Sequence, residues 1–148
     1  MEIGRWLGGS TILLCSASYE NNTKVISVDL KVKAPHYASD ELIESVLRNL
    51  GIQNYTFYIH DSATFVPQSP IDLILIDGDH SYEGVKKDFE NIYGYLKPGA
   101  HILFHDADAS RPFATKHEEV YRFMVELKGR SDLEYVSTVG SIVHFIKK

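Results

Sequence analysis

The segment from Ile71 to Asp108 limits what this chain can fold into more than any other part of the sequence. Five of the six residues from Ile71 to Ile76 are apolar, which is typical of a strand buried on both faces. The apolar spacing from Tyr82 to Leu96 predicts a helix, which Lys97-Pro98-Gly99 is expected to break. A second short strand is predicted over Ile102–Phe104. The order strand, helix, strand predicts a unit with parallel strands.

Acidic residues and histidines follow both of these predicted strands. Asp77 and His80 come after the first strand, and His105 and Asp106 come directly after the second. Because ligands bind outside the carboxyl ends of the strands in an open parallel sheet, these residues predict a polar site at that edge.

The remainder of the chain continues the alternation of strands and helices. Helices are predicted over residues 11–17, 40–50 and 116–128, and strands over residues 1–3, 24–30, 55–60, 133–139 and 141–145. This order, β-α-β-α-β-β-α-β-α-β-β, is typical of an α/β fold with a mostly parallel sheet and helices on both faces. The last two strands are joined at Gly140, and so short a connection requires them to be antiparallel.

Three glycines lie between the first short strand and the first helix. Gly4, Gly8 and Gly9 would let the chain turn sharply and approach a ligand closely, and Ser10 or Thr11 is expected to cap the helix. The spacing is not that of the dinucleotide fingerprint, and Ser10 stands where a phosphate-binding loop carries lysine. From these residues alone, a ligand-binding loop and a plain strand-to-helix turn are both open.

Two further predicted strands end in an acid. Asp29 follows the glycines by about 20 residues, which is the position of the ribose-binding acid in nucleotide-binding βαβ units. Asp61 follows the third strand in the same way.

Length, charge and cysteine content exclude several classes of protein. The 148 residues suffice for one domain, and the net charge of -5, without a basic stripe, argues against a nucleic-acid partner. No apolar run approaches the roughly 20 residues that span a bilayer, and the start resembles no secretory signal. Cys15 is the only cysteine, so an intrachain disulfide is excluded. A cytoplasmic location without membrane contact is the expectation.

Three motifs give this sequence a family resemblance. They read EIGRWLGGST, IDGDHSYEGVKKDF and LKPGAHILFHDA. Together they resemble a small family of class I S-adenosylmethionine-dependent methyltransferases, with the signatures E-x-G-x-x-x-G-x-S-T and I-D-G-D-H-x-Y. The resemblance covers almost the whole chain. It implies a Rossmann-like, doubly wound, seven-stranded sheet with a reversed last strand in a three-layer sandwich, and S-adenosylmethionine as cofactor.

The resemblance also implies which residues contact that cofactor. Glu2 and Gly4 would line its methionine end, and Gly8 would let the backbone pass close to it. Asp29 would accept hydrogen bonds from the ribose hydroxyls, and Asp61 would hold the adenine. The complete implied set is Glu2, Gly4, Gly8, Asp29, Asp61, Ser62, Ala63 and Asp77.

Methyl transfer requires a nucleophilic acceptor, and a base that removes the proton of the acceptor is one way to provide it. His80 or His105 could remove a proton from a hydroxyl, because imidazole titrates near neutral pH. Asp77 would face the reaction centre, which makes Asp77, His80 and His105 the candidate catalytic residues. Asp79 and Ser81 are instead expected to cap the following helix.

A divalent cation is the other way to activate the acceptor. Asp77 and Asp106, with Asp108 or Asp79 as a further ligand, could bind magnesium through oxygen. Asp77 and Asp106 match the acids that hold magnesium at these two strand ends in the O-methyltransferases that resemble this chain. Those enzymes carry a carboxylate or amide beside the second acid, whereas Asp106 has His105 and Ala107 as neighbours. Base and metal therefore remain alternatives.

The predicted domain, residues 1–148, differs from the family at its start. Glu2 follows Met1 directly, so we expect this domain to lack the helices that normally precede the glycine loop in the family. An uncovered apolar sheet face is therefore expected, and with it a homodimer or a partner subunit. The predicted function is O-methyl transfer to a hydroxyl of a small molecule or sugar. The alternative is a non-catalytic or partner-dependent cofactor-binding module.

Overall fold

The computed structural model describes residues 1–21, 23–31, 38–108 and 118–148. They fall into two compact units, Met1–Ser62 and Ala63–Lys148. The helices are α1 (Gly9–Tyr19), α2 (Asp40–Asn49), α3 (Tyr82–Tyr93) and α4 (Glu118–Lys128). The strands are β1 (Glu2–Ile3), β2 (Val25–Asp29), β3 (Tyr55–Ile59), β4 (Ile71–Ile76), β5 (Leu96–Phe104), β6 (Leu133–Val139) and β7 (Ile142–Lys147). None of the helices within these ranges has the length and hydropathy that a membrane span requires.

The first unit contains three parallel strands in the order β3-β2-β1. Helices α1 and α2 pack together through a buried apolar cluster that includes Cys15, Ile43 and Leu47. Ser39 is the N-cap of α2, and its side chain accepts a hydrogen bond from the backbone N–H of Leu42.

The second unit contains four strands in the order β4-β5-β7-β6. Strands β4 and β5 are parallel, whereas β7 is antiparallel to both β5 and β6. Its core is aromatic: Phe89 and Phe123 of the helices pack with Phe104 and Phe145 of the strands, with ring centroids 5.7 to 6.2 Å apart. The parallel pair ends beside Asp77 and His105, as the positions of these residues in the sequence predict.

The predicted fold class is confirmed. The chain is an α/β protein with a mixed, mostly parallel, seven-stranded sheet whose last strand is reversed, and its elements follow the predicted order. His36, in the loop after the second strand, and the segment 109–117 lie outside the described residues.

The predicted break at Lys97-Pro98-Gly99 was wrong in one respect. Helix α3 already ends at Tyr93, and β5 begins at Leu96, before the proline and glycine. The pairing passes from Ile71 with Leu96 directly to Leu73 with His101, so the intervening residues form an irregularity within the strand. A proline can occupy such a position because it needs no ladder hydrogen bond there.

Candidate functional site

The glycine loop, residues 4–8, follows β1 and leads into α1. Gly4 and Gly8 have φ angles of 86° and 80°, in the left-handed region that favours glycine. A Cβ on Gly8 would lie 2.6 Å from two side-chain carbons of Ile43. Because glycine carries only a hydrogen at this position, Ile43 of α2 can pack closely against it. Gly8 is also the N-cap of α1, and no side chain caps this helix. The expectation that Ser10 or Thr11 caps it was therefore wrong.

The hydroxyls of Ser10 and Thr11 are directed instead at Glu2. Both donate hydrogen bonds of 2.6 Å, one to each carboxylate oxygen, and Ser27 donates a third of 2.5 Å. Glu2 is completely buried. A buried carboxylate is stable only when its oxygens are satisfied, and three hydroxyls meet that need here. Glu2 thus joins β1 to α1 and β2.

Asp29 organises the same loop from the end of β2. One carboxylate oxygen accepts the backbone N–H groups of Arg5 and Trp6, at 2.6 and 3.2 Å, and the other accepts that of Lys31 at 2.6 Å. A carboxylate offers about four acceptor positions. Among the described residues, three are filled, so one position on Oδ1 remains for another donor.

An ion-pair network that the sequence did not reveal lies next to Asp29. The buried guanidinium of Arg5 makes two hydrogen bonds to Asp40, of 2.9 and 3.1 Å, and Lys31 Nζ lies 2.8 Å from the same carboxylate. Burial acts to raise the pKa of Asp40, but the hydrogen bonds from Arg5 and Lys31 outweigh it and lower that pKa. The partners are 35 and 9 residues apart in sequence, and no local pattern links such positions.

The predicted adenine-binding residues follow β3. Asp61 is exposed, whereas Ser62 and Ala63 are half-buried. The backbone carbonyl of Asp61 lies 2.9 Å from His60 Nδ1. Their adenine-binding role stays a prediction.

The second unit gathers four of the predicted residues into what we name the Asp77 cluster: Asp77, His80, His105 and Asp106. Asp77 Oδ1 lies 3.2 Å from His80 Nε2 and 3.0 Å from His105 Nδ1, so both imidazoles bind one oxygen. Asp106 Oδ1 lies 3.5 Å from His105 Nδ1. The side chains of Asp77 and His105 are 25% and 37% exposed, so the cluster is accessible to a ligand.

These contacts change the protonation of the cluster. Burial acts to raise the pKa of Asp77, but the hydrogen bonds from His105 and His80 outweigh it, so that pKa is lowered. The hydrogen bond to Asp77 raises the pKa of His80 and of His105 against the opposing effect of burial. A carboxylate that stays ionised therefore faces two imidazoles of increased basicity.

The cluster also has a possible metal-binding arrangement. One ligand atom each from Asp77, His80 and Asp106 lies within 4.8 Å of the other two. Asp106 has a φ of 51°, an unfavourable backbone conformation for a residue other than glycine. The sequence predicted the two acids as metal ligands and left His80 undecided between base, ligand and bystander.

Asp79 has the structural position that the sequence favoured. It accepts hydrogen bonds from the backbone N–H and the hydroxyl of Ser81, and Ser81 caps α3 by accepting the N–H of Gly84. A Cβ on Gly84 would clash with the Asp79 side chain, so the glycine is needed for this turn. The motif residues around the Asp77 cluster thus fix the turn from β4 into α3.

Comparisons with known proteins agree with this architecture. A family model described as a methyltransferase domain matches residues 1–107. The SAH-bound methyltransferase PaMTH1 of Podospora anserina has a TM-score of 0.75 and 14% identity, over 99% of this chain and 69% of that one. The O-methyltransferase TomG of Streptomyces achromogenes, solved in complex with SAM, has a TM-score of 0.68 and 21% identity, over 99% and 71%.

A relative by sequence is the uncharacterized protein R132 of Acanthamoeba polyphaga mimivirus. It is 29% identical over 126 residues, which cover 72% of this chain and 50% of the relative. The chain thus spans about half the length of that relative.

Proposed function

This chain belongs to the methyltransferase-domain family, and from that premise we propose that it transfers a methyl group from S-adenosylmethionine to a hydroxyl of a small molecule or sugar. The observation that carries the choice of a hydroxyl is the hydrogen bond between His105 Nδ1 and Asp77 Oδ1. An aliphatic or phenolic hydroxyl must lose its proton to become a good nucleophile, and this pair is suited to accept one.

The residues of the first unit fit the proposed cofactor. Asp29 has one acceptor position left after three backbone bonds, which suits a ribose hydroxyl, and the glycine loop brings backbone close to it. Glu2 is buried among three hydroxyls, so we assign it the shaping of the loop rather than direct contact. When bound, S-adenosylmethionine supplies an electrophilic methyl group on a sulfonium sulfur.

His105 is the preferred base. Because Asp77 accepts a hydrogen bond from Nδ1, the Nδ1–H tautomer is favoured and the lone pair lies on Nε2. Nε2 then takes the proton of the acceptor hydroxyl, and the Asp77 carboxylate stabilises the imidazolium that forms. His80 contacts the same oxygen through Nε2 and is the second candidate for this role.

A divalent cation is a second candidate, supported by the proximity of Asp77, His80 and Asp106. Two carboxylates and an imidazole suit Zn²⁺, Fe²⁺ or another borderline cation better than Mg²⁺, which prefers an all-oxygen shell. Such a cation would lower the pKa of a hydroxyl bound to it. Transfer that survives exhaustive chelation would exclude this version and leave the His105 base.

Two measurements test the proposal in sequence. Titration calorimetry with S-adenosylhomocysteine should detect binding by the wild-type chain, and Asp29→Ala should abolish it. A panel of phenols, sugars and matched amines should then yield S-adenosylhomocysteine only with hydroxyl acceptors. Turnover of the amines alone would contradict the choice of acceptor. Binding without transfer to any acceptor would favour the cofactor-binding module.

Association into a homodimer remains part of the proposal. Light scattering of the purified chain at micromolar concentration should give the mass of two copies, and the mass of one copy would exclude it.

A further inference from the structure

We propose that Asp40 is a positioning residue for the cofactor site, because it holds in place the two residues that orient Asp29. This inference rests on the proposed function, since it assumes that Asp29 meets the ribose of S-adenosylmethionine. It adds a residue that lies 11 positions beyond Asp29, at the start of α2, and that no motif in the sequence identifies.

Arg5 and Lys31 each bind Asp29 through the backbone and Asp40 through the side chain. Their N–H groups donate to Asp29, both at 2.6 Å, one to each carboxylate oxygen. Their side chains both bind Asp40 Oδ1, at 2.9 and 2.8 Å. The four residues therefore form a closed ring that joins the loop after β1 to the loop after β2. We name it the Asp29–Asp40 ring.

The burial of Arg5 makes Asp40 its necessary partner. The guanidinium is fully buried, lies 4.6 Å from the centre of the Phe57 ring and donates to the carbonyl oxygen and hydroxyl of Ser27. A buried arginine charge needs an anionic partner, and the bidentate contact with Asp40 supplies it.

The ordinary role of an acid at this position is to stabilise a helix start. Asp40 is the first residue of α2, where the helix dipole favours negative charge. That start is already capped, however, because the Ser39 hydroxyl accepts the N–H of Leu42. The Asp40 carboxylate is directed at Arg5 and Lys31 instead, so its contacts are those of the ring.

The backbone at Trp6 and Lys31 needs such a restraint. Trp6 and Lys31 have φ angles of 36° and 50°, which residues other than glycine rarely adopt. Both residues donate their N–H groups to Asp29 in these conformations. Without Asp40, the loops would relax toward ordinary φ values, and the remaining acceptor position of Asp29 would lose its fixed direction.

Trp6 is the only tryptophan of the chain and lies in the glycine loop, so its fluorescence reports this site directly. The experiment compares four proteins: wild type, Asp40→Asn, Lys31→Met and Glu44→Gln. Glu44→Gln is the matched control, because Glu44 is an exposed acid of the same helix paired with an arginine, Arg48. The readouts are the anisotropy of Trp6 without ligand and the Kd for S-adenosylhomocysteine.

We expect Asp40→Asn to lower the anisotropy and to raise the Kd about tenfold, and Lys31→Met to act in the same direction about threefold. Glu44→Gln should match wild type in both. Lys31→Met keeps the proposal testable if Asp40→Asn does not fold, because it leaves the buried pair of Arg5 and Asp40 intact. Once an acceptor is known, the KM for S-adenosylmethionine should rise while kcat is unchanged.

Two outcomes separate this inference from the proposed function. If wild type binds S-adenosylhomocysteine and both ring variants bind it equally well, the positioning role of Asp40 is wrong while the function stands. If wild type itself does not bind, the proposed function fails, and the role of Asp40 in it fails too. A partial recovery of affinity in Asp40→Glu, which restores a carboxylate for Arg5 and Lys31, would support the positioning role.

Discussion

The two polar clusters of this protein hold their carboxylates in different ways. In the first unit, Glu2 and Asp29 are buried, and their hydrogen-bond donors are hydroxyls and backbone N–H groups. In the second unit, Asp77 and Asp106 are about a quarter exposed, and their contacts are with imidazoles. Acidic side chains thus occur in two settings: a closed setting, buried and satisfied by the protein, and an open setting, partly exposed to solvent.

The difference in donors predicts a difference in role. Hydroxyls and amides do not change protonation near neutral pH, so the first cluster can keep one geometry and present one acceptor position to a ligand. Imidazoles gain and lose protons in that range, so the second cluster can exchange a proton with a substrate. Changes in the first unit should therefore alter stability and binding, and changes in the second should alter turnover.

The largest effect is expected from Glu2→Gln. The amide would direct N–H groups at hydroxyls that donate to Glu2, leaving buried groups unsatisfied, so the free energy of unfolding should fall by roughly 3 kcal/mol. Urea unfolding measures it. Asp72→Asn is the control, because Asp72 is 72% exposed and its ion pair with Lys97 should contribute less than about 1 kcal/mol. Equal losses in the two variants would contradict the closed setting of Glu2.

The next effect is expected from His105→Gln, which removes the proposed base. Its kcat should fall about 100-fold, as for the loss of a general base, while its urea unfolding stays close to that of wild type. His101→Gln is the control, because His101 lies on β5, the strand that leads to His105, and contacts His144 instead of an acid. Loss of stability in His105→Gln without loss of turnover would assign this histidine a structural role.

A smaller effect is expected from Ser27→Ala. Its buried hydroxyl donates to Glu2 and accepts from Arg5, so removal should cost about 1 to 2 kcal/mol of unfolding free energy. Ser16→Ala is the matched control, because the exposed hydroxyl of Ser16 donates only to a carbonyl of its own helix, that of Ile12. If both variants lost the same small amount of unfolding free energy, the hydroxyls that surround Glu2 would not contribute specially to stability.

Sequence reasoning predicted the order of the elements and the convergence of the Asp77 cluster because both follow from local patterns. Apolar runs locate the strands, and parallel strands bring the residues that follow them to one edge. It failed at Leu96, where the strand starts before a proline and glycine that usually end an element. Only the pairing partner on β4 determines that start, and a partner is not visible in the sequence of the strand itself.

The first cluster was predicted less completely because its contacts are long-range. Asp29 was identified by its place after a strand, but the bond between Arg5 and Asp40 spans 35 residues and depends on how the two loops fold. Ser10 and Thr11 illustrate the same limit: their position suits a helix cap, yet the buried acid Glu2 competes for their hydroxyls. The need of a buried charge for partners overrode the local preference.

The smallest effect concerns how stability depends on pH. The folded pKa of Asp40 is lowered, because hydrogen bonds from Arg5 and Lys31 outweigh burial. A lowered folded pKa means that the unfolded chain takes up the proton first, so the stabilisation is complete above the unfolded pKa of about 4 and is lost as pH falls through the lower folded value. The difference in unfolding free energy between wild type and Asp40→Asn should therefore be constant from about pH 7 to 5 and shrink below pH 4.

Urea unfolding across this range measures it, and Glu44→Gln should stay near wild type at each pH because its ion pair is exposed. A difference that grew on acidification would mean that Asp40 is held by burial rather than by its two cations, and the closed setting of the first cluster would then need another explanation.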